Sequence, residues 1–589
     1  MNPAPRFFQN GLSLQKFGVL SALALLPAVA AFPLSAEELT ASDKGKYSRY
    51  GWSASLSGTT VFVGASLHGS KGYNSSGAAY LFRRINTGTG IRTEDLILTA
   101  SDKASGDVFG HSNSLSGSTA LAGAPNHVSG GFDGSGAAYL FRGIDTGTGA
   151  RREDLILTAS DKNTYSRFGG SASLSGTTAL VGAAYHDTGG IYDSGSAYLF
   201  RGVDTGTGTR TENLILTASD KAEGNYFGCS LSLSGSRALV GANGRNTGGS
   251  LASGAAYLFR NLDAGTGTRT EDLILTASGQ PYDISLGWST SISGTMALAG
   301  AVFYDSGEAT NSGAVYVFRN LDAGTGTRTE DLILTASDKA VDDWLGDSVS
   351  LSGSTGLAGA PAHGSGGVAG SGAAYLFRRL DSGTGSRSED LILTASDKAA
   401  HTRFGESVAL EDDHFVIGAT GNVFFGTGAA YTGTVSSLTT LDAGNSSRTI
   451  SKISFISHED WVIGQTTDQN AVTLSAGDTA AITDTGKAVL IGQTATSDDN
   501  TLWIFGTLTA TSILVGTESN HGNRLHIAPS GLVTSNVTVA ADSSIGGGGA
   551  LTGNLVLEPG AFLEFSPASF LKVTGNVLLP GSFGAGSLA

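Results

Sequence analysis

The stretch GAAYLFRGIDTGTGARREDLILTASDK, residues 136–162, joins two motifs that return along most of the chain. The first, Gly-Ala-Ala-Tyr-Leu-Phe or a close variant, starts at Gly77, Gly136, Gly195, Gly254, Gly313, Gly372 and Gly428. The second, Leu-Thr-Ala-Ser, starts at Leu39, Leu98, Leu157, Leu216, Leu275, Leu334 and Leu393. The step is 59 residues, except before the last copy of the first motif. Seven copies at a fixed period indicate a solenoid, a propeller or another repeat array.

Each 59-residue unit contains four short runs with the composition of β-strands. Between residues 110 and 160 these runs are 110–115, 119–124, 137–142 and 155–160, and Gly, Ser, Thr, Asn and Asp fill the gaps. We find no segment with a sustained helical period. Four strands in each of seven units predict an all-β fold with a seven-bladed β-propeller, and an open β-solenoid is the alternative.

The two ends of the repeat region favour a closed ring. No Leu-Ile-Leu-Thr-Ala follows the seventh Gly-Ala-Ala-Tyr at 428–431, whereas one extra Leu-Thr-Ala-Ser precedes the first unit. If that segment is the outer strand of a blade, residues 39–43 complete the seventh blade and leave no blade edge unpaired. We therefore assign the propeller to residues 37–440.

Two shorter motifs in each unit carry a resemblance to a known family. Phe-Gly occurs at 109–110, 168–169, 227–228 and 404–405, and Gly-Ala-Pro at 123–125 and 359–361. Over residues 39–431 the chain resembles the FG-GAP repeat, the propeller repeat of integrin α chains and of many bacterial surface proteins. The resemblance implies an extracellular binding or adhesive scaffold and no catalysis.

The chain departs from that family where many members hold calcium. Their calcium loop, Asp-x-Asp-x-Asp-Gly, lies between the Phe-Gly and Gly-Ala-Pro motifs and supplies several oxygen ligands. Here the same place holds short turns such as Ser57-Gly58-Thr59-Thr60, which have no carboxylate. Only the last copy, Glu411-Asp412-Asp413, is acidic, and it lacks the alternating spacing. We expect no calcium in these turns, and no cofactor or metal elsewhere.

Composition and the N-terminus predict an exported protein. Lys plus Arg is 35 and Asp plus Glu is 51, a net charge of −16 that argues against a nucleic-acid partner. Residues 1–36 have basic side chains, an apolar run and small residues in the order of a signal peptide. The mature chain has no membrane-spanning segment of sufficient length, and its single cysteine, Cys229, allows no internal disulfide.

The loops of one propeller face vary from unit to unit, and those of the other face do not. Aromatic, histidine and arginine side chains on variable loops are common recognition anchors. We therefore predict an extracellular protein or a glycan as the ligand; drift of loops that bind nothing is the alternative. The candidate ligand-binding residues are His68, Tyr73, His127, Phe132, Tyr185, His186, Tyr192, Arg245, Phe303, Tyr304, Trp344, His363 and Phe424.

Motifs for catalysis are absent from the sequence, so we expect no enzyme. The slot held by Trp52, His111, Gly170, Cys229, Trp288, Asp347 and Glu406 varies too much to be a shared catalytic position. A carbohydrate-active hydrolase using loop carboxylates such as Asp342-Asp343 is one alternative, and a purely structural envelope protein is another. The repeated Arg-Thr-Glu-Asp predicts Arg–Glu pairs on a soluble hairpin surface.

Residues 441–589 form a different region. Short apolar runs end at Gly464, Gly492 and Gly516, and Asn500-Thr-Leu-Trp-Ile is echoed by Asn523-Arg-Leu-His-Ile. Single strands at this spacing predict a β-solenoid-like domain. The region resembles the passenger repeats of autotransporter-like bacterial surface proteins. Since no translocator barrel or sorting helix follows, we expect another route of secretion or a truncated gene product.

Overall fold

The chain is described by a computed structural model over most of the repeat region and parts of the C-terminal region. The described residues are 37–43, 45, 47–69, 74–85, 91–246, 252–279, 283–395, 397–421, 428–434, 440–441, 447–450, 453–457, 461–463, 471–474, 479–482, 488–492, 499–505, 507–516, 522–559, 561–564 and 571–578. The predicted signal peptide at 1–36, Tyr73 and Phe424 lie outside them.

The repeat region forms seven blades, as predicted, and the first four strands of each blade are antiparallel. The first strands are Tyr50–Ser57, Asn113–Ser116, Ser171–Ser175, Leu231–Ser234, Thr290–Ser293, Ser348–Ser352 and Phe404–Glu411. The second strands are Thr60–Ala65, Thr119–Ala124, Thr178–Ala183, Arg237–Ala242, Met296–Ala301, Thr355–Ala360 and His414–Ala419. The third strands are Ala78–Arg83, Ala137–Arg142, Ser196–Arg201, Ala255–Phe259, Ala314–Phe318, Ala373–Phe377 and Ala429–Thr434.

The fourth strand of the seventh blade comes from the start of the described chain. In blades one to six the fourth strands are Leu96–Leu98, Leu155–Leu157, Leu214–Leu216, Leu273–Thr276, Leu332–Leu334 and Leu391–Ala395. In blade seven this place is taken by Glu37–Thr40, which pairs antiparallel with the third strand, Glu37 opposite Thr432 and Leu39 opposite Ala430. The seventh sheet is therefore built from both ends of the repeat region.

Each blade also has a fifth, outermost strand, which we call the bracing strand because another unit supplies it. On blades one to five and seven it comes from the Gly-Thr-Arg segment of the next unit and runs parallel to the fourth strand. On blade six it is antiparallel. From blade one to blade seven the bracing strands are Gly149–Arg151, Gly208–Arg210, Gly267–Arg269, Gly326–Thr329, Gly385–Arg387, Ile453–Ser457 and Ile91–Thr93.

Charged residues beside the bracing strands make contacts different from the predicted Arg–Glu pairs. Arg151 pairs with Asp154, three residues later, at 3.1 Å. Glu212 of the following unit instead accepts hydrogen bonds from the backbone N–H, at 3.0 Å, and the hydroxyl of Ser160. The glutamate thus joins its own unit to the preceding one, a link that a hairpin would not make.

A ring of hydrogen bonds closes the propeller. A serine hydroxyl in each blade donates to the carbonyl oxygen of the Phe-Gly-type glycine of the next, as from Ser112 to Gly169 at 2.9 Å. The equivalent donors and acceptors are Ser53 and Gly110, Ser171 and Gly228, Ser230 and Gly287, Ser289 and Gly346, Ser348 and Gly405, and Ser407 and Gly51. Because the last bond returns to the first blade, the predicted seven-bladed propeller is confirmed.

Close contact between blades explains the glycine motifs. A Cβ atom at Gly123, in the Gly-Ala-Pro motif, would overlap the carbonyl oxygen of Gly169 in the next blade. Gly169 has φ +91°, a left-handed conformation that other residues rarely adopt. Between the sheets lie fully buried rings, such as Phe168 of one blade, whose centroid is 5.4 Å from that of Tyr198. Small residues at the contact and rings beside it set how closely the blades pack.

The C-terminal strands pair in parallel with strands roughly one short repeat further along. Trp461–Ile463 pairs with Val489–Ile491, for example, and Thr501–Ile504 with Arg524–Ile527. One strand of this region, Ile453–Ser457, is the bracing strand of blade six. The remaining strands of the region are Thr440–Leu441, Ser447–Ile450, Ala471–Leu474, Thr479–Ile482, Thr507–Val515, Leu532–Val539, Ser544–Gly547, Ala550–Thr552, Leu555–Leu557, Phe562–Glu564, Lys572–Thr574 and Val577–Leu578.

Helical structure in the described residues is limited to two 3₁₀ turns, Thr188–Gly190 and Ser365–Gly367. Both lie in variable loops between a second and a third strand. Within the described ranges we find no helix long and apolar enough to cross a membrane.

Candidate functional site

A cavity of about 840 Å³ opens on the variable-loop face, where all seven blades meet. It is built mainly from the residues on either side of each Phe-Gly-type pair. The residues before that pair that line it are Arg49, Val108, Arg167, Tyr226, Trp344 and Arg403. Those after it are Trp52, His111, Gly170, Cys229, Trp288, Asp347 and Glu406.

Backbone conformation points these side chains toward the ring centre. Every residue before the pair has a positive φ, from 50° at Arg49 to 62° at Trp344. Such values are uncommon outside glycine and cluster at functional sites. The residue is held in this turn because the following glycine fits against the neighbouring blade. This position thus places a variable side chain at the cavity in six of the seven blades.

Aromatic rings and guanidinium groups are stacked on one another around the cavity. The Arg49 guanidinium lies 4.8 Å from the ring centroid of Trp52, and that of Arg167 lies 4.6 Å from the centroid of Tyr185. Phe303, from the loop after a second strand, contacts Trp288 with a centroid separation of 6.0 Å. These contacts hold flat apolar surfaces and cationic edges toward the same space.

An acidic pair occupies the side of the cavity formed by blades six and seven. Burial first, and then the negative charge of Glu406, raise the pKa of Asp347 to about 7, against the effects of Arg403 and of a hydrogen bond from Trp288. Glu406 is bound by the guanidinium of Arg403. Asp347 is therefore partly protonated at neutral pH, whereas the charge of Glu406 is balanced by the Arg403 guanidinium.

The basic side of the cavity contains a histidine that is neutral at physiological pH. Burial first, and then the positive charges of Arg167 and Arg49, lower the pKa of His111 to about 4. Its ring lies 5.5 Å from that of Trp52. A neutral imidazole offers one hydrogen-bond donor and one acceptor, which suits a hydroxylated ligand.

Three of the predicted ligand-binding residues line the cavity: Tyr185, Phe303 and Trp344. Phe132 and Tyr192 are exposed on loops of the same face, 43% and 63% respectively, and are not part of the cavity wall. With Tyr73 and Phe424 outside the described residues, the other six candidates remain. These six occupy one equivalent position in successive blades: His68, His127, His186, Arg245, Tyr304 and His363.

That equivalent position has an architectural role, which corrects our interpretation of its residues. His186 is buried, with Nε2 3.3 Å from Asp161 Oδ2 in the preceding Thr-Ala-Ser-Asp segment. The same aspartate accepts a 2.8 Å hydrogen bond from the hydroxyl of Tyr198. His68, His127 and His363 make the same contact, and Arg245 pairs with Asp220. Because these side chains are turned into their own blades, we remove them from the candidate binding set.

Two histidines of this group have a second carboxylate. His127 Nδ1 lies 3.1 Å from Asp107, and His363 Nδ1 lies 2.9 Å from Asp343. Burial lowers the pKa of His363, but the hydrogen bonds that its ring donates to the carboxylates of Asp338 and Asp343 outweigh this effect and raise the pKa to about 9. The imidazolium is thus an internal cross-link of the blade.

Sequence reasoning missed most of the cavity wall because it set the variable slot aside. Trp52, Trp288, Asp347 and Glu406 all belong to that slot. In every unit this slot directly follows the glycine of the Phe-Gly-type pair. That fixed position could have identified the slot as part of one shared site. Burial raises the pKa of Cys229, in the same slot, to about 11, so its thiol is protonated at neutral pH.

The described residues contain no group of three or more His, Cys, Asp or Glu side chains arranged to hold a metal ion. The cavity therefore offers stacking surfaces, guanidinium donors and carboxyl groups rather than a metal-ligand set.

Comparison with known proteins gives a family that agrees with the fold. The FG-GAP repeat matches seven segments of the chain, residues 35–82, 93–141, 152–200, 211–259, 270–318, 329–377 and 388–433. No curated protein matches the chain. Because the seven matches cover more than half of the sequence and correspond to the seven blades, this chain belongs to the FG-GAP repeat family.

Proposed function

We propose that this protein is an exported, non-enzymatic recognition scaffold that binds a glycan at the central cavity of its propeller. The observation that carries the proposal is the convergence of aromatic rings and guanidinium groups on one cavity of about 840 Å³. Pockets of about 300–1,000 Å³ with apolar walls and a few polar groups are typical ligand sites.

The chemistry of the wall favours a sugar over an extended protein surface. Tyr185 and Trp288 are 38% and 39% exposed and can stack on the apolar face of a pyranose ring. Arg49, Arg167 and His111 supply the hydrogen-bonding groups that hydroxyl groups need. The cavity is concave, whereas protein interfaces of ordinary affinity need a broad contact area.

We propose further that a signal peptide at residues 1–36 exports the chain and that the C-terminal region is a β-solenoid-like stalk. The parallel pairing of short strands, such as Ala471–Leu474 with Thr501–Ile504, supports the stalk. A stalk would hold the cavity away from a cell surface, as adhesion requires.

The proposal is tested by screening the purified protein against a glycan array and a panel of extracellular matrix proteins. Tyr185→Ala and Trp288→Ala each remove a cavity ring, and Tyr192→Ala is the matched control because that ring is exposed on the same face outside the cavity. We expect glycan binding that the two cavity variants lose and the control keeps. No binding by the folded protein would favour the purely structural role instead.

A carbohydrate-active hydrolase is the second candidate, and the acidic pair in the cavity is the observation that favours it. Glycosidases use two carboxyl groups, one of which has a raised pKa, as Asp347 has here. Glu406, the second carboxyl group, is held in an ion pair with Arg403 and is therefore less available than Asp347 for such chemistry. Release of reducing sugar that Asp347→Asn and Glu406→Gln both abolish would establish the enzyme. Binding without release would support the recognition scaffold.

A further inference from the structure

Two arginines of the cavity differ from most others in the propeller in having no carboxylate partner. Arg151, Arg269 and Arg328 each pair with an aspartate three residues later. Among the described residues, neither Arg49 nor Arg167 forms an ion pair, although the chain has a net charge of −16. In the described part of the chain Arg142, Arg201 and Arg319 also lack a carboxylate partner, but each donates to backbone carbonyl oxygens of another unit, whereas Arg49 and Arg167 line the cavity.

Each guanidinium group lies against an aromatic ring. Asp193 interacts with the charge of Arg167, but it forms no ion pair with it and lies outside the cavity wall. Trp52 supports Arg49 at 4.8 Å, and Tyr185 supports Arg167 at 4.6 Å. Stacking fixes the plane of a guanidinium group and leaves its N–H edge for another acceptor. A planar fork of N–H donors matches a carboxylate, with which it forms two parallel hydrogen bonds.

The charges are distributed unevenly around the cavity. Arg49 and Arg167 come from blades one and three, on either side of the neutral His111 of blade two. The carboxyl groups of Asp347 and Glu406 come from blades six and seven, and Arg403 neutralises one of them. An anionic group therefore gains most at blades one to three, where two positive charges face the space and the described lining has no carboxylate.

We propose that the cavity binds an oligosaccharide of uronic-acid residues, with sugar carboxylates paired to Arg49 and Arg167 and sugar rings against the aromatic wall. The inference rests on the proposed glycan-binding function and names the class of glycan. Two arginines in separate blades suit a chain that bears a carboxylate on successive residues. A neutral glycan would leave both guanidinium groups without a partner of opposite charge.

The test is calorimetric titration of the full-length protein with tetragalacturonate and tetramannuronate, each compared with its methyl ester. The ester keeps the sugar ring and removes the charge. We expect each acid that binds to do so at least 10-fold more tightly than its ester, with an affinity that falls as salt is raised. Arg49→Gln and Arg167→Gln should each weaken binding of the acid about 10-fold or more and leave binding of the ester unchanged.

Arg237→Gln is the matched control, because Arg237 is the first residue of the second strand of blade four, next to the turn on the opposite face, and is outside the cavity wall. The Arg237→Gln variant should bind the acidic oligosaccharide as tightly as the unmodified protein does. Thermal unfolding of all three variants verifies that each is folded. Equal binding of acid and ester, lost in Trp288→Ala, would overturn the uronate inference and leave the glycan-binding function standing. No binding of either acid would also overturn the inference, and the glycan array decides separately whether the proposed function fails with it.

Discussion

The hydroxyl group of Ser407 donates a 2.9 Å hydrogen bond to the carbonyl oxygen of Gly51, a residue 356 positions earlier in the chain. The equivalent bond inside the repeat region, from Ser348 to Gly405, measures 2.8 Å. The seam between blades seven and one is therefore built like the other seams. What differs is the seventh sheet itself, which depends on Glu37–Thr40 as its fourth strand.

Leu39→Ala should destabilise the propeller by about 2–5 kcal/mol, because it removes a fully buried side chain from the strand that completes blade seven. Urea unfolding followed by tryptophan fluorescence measures the change. Ile91→Ala is the control: Ile91 lies in the bracing strand of the same sheet and is 61% exposed, so its loss should cost no more than about 0.5 kcal/mol. Equal stability of the two variants would contradict the closure of blade seven by this strand.

Replacing His363 should change how stability depends on pH. Its folded-state pKa is raised to about 9 from an ordinary 6.5: burial lowers it, and the carboxylates of Asp338 and Asp343 more than compensate. The charged ring therefore stabilises the fold fully below about pH 6.5, and this contribution is lost as pH rises through about 9. A shift of this size corresponds to roughly 3 kcal/mol.

The measurement compares urea midpoints of the unmodified protein and His363→Gln at pH 6 and pH 9.5. The difference between the two proteins should be largest at pH 6 and nearly vanish at pH 9.5. His401→Gln, on an exposed loop, should follow the unmodified protein at both values. A difference that is the same at both pH values would show that the ring acts by packing alone.

Gly123→Ala should cost about 3 kcal/mol or more, because the new methyl group would overlap the carbonyl oxygen of Gly169 and the hydroxyl of Ser112. Gly117→Ala provides the comparison. Gly117 has φ +55° in a turn with no atom within 4 Å of an added Cβ, so the cost there is only about 1–2 kcal/mol of backbone strain. If thermal unfolding ranks the two variants in the opposite order, close contact between blades is not what requires the glycine.

The sequence predicted the parts of the fold that depend on local periodicity. Four strands in each unit and the completion of blade seven by the N-terminal segment follow from motif spacing. The observed strand, Glu37–Thr40, begins two residues before the predicted segment 39–43 and ends three residues before the end of that segment. The bracing strands were missed because Gly149–Arg151 pairs with residues of the preceding unit, 53 positions away, and its glycine-rich composition is typical of a loop.

The candidate site was predicted only in part, because side-chain direction depends on contacts between units. His186 and Tyr185 are adjacent in sequence, yet one is turned into the blade toward Asp161 and the other faces the cavity. A covariation within the chain held the missing signal. Five of the six units with the aspartate have a histidine or arginine at this position, whereas the unit with Gly279 has Tyr304. Tyr304 packs edge-on against Tyr316 at 6.1 Å instead of pairing with a carboxylate.

Asp347 should make binding of an acidic saccharide stronger at low pH. Its pKa is raised to about 7, first by burial and then by the charge of Glu406. Between pH 8 and pH 6 the cavity therefore loses a negative charge, whereas the carboxylates of tetragalacturonate remain ionised. Removing one like charge at a distance of about 10 Å is worth roughly 1 kcal/mol, or about fivefold in affinity.

Asp347→Asn should bind tetragalacturonate at pH 8 as tightly as the unmodified protein does at pH 6, and its affinity should be nearly flat across that range. The same substitution should raise the urea midpoint at pH 8, because a carboxyl group whose folded pKa is raised above its ordinary 3.8 destabilises the fold as pH rises through 7. Asp133→Asn removes an exposed carboxylate of the same face outside the cavity and should keep the unmodified pH profile. An affinity that is independent of pH in the unmodified protein, or a profile that survives in Asp347→Asn, would show that this carboxyl group does not face the ligand.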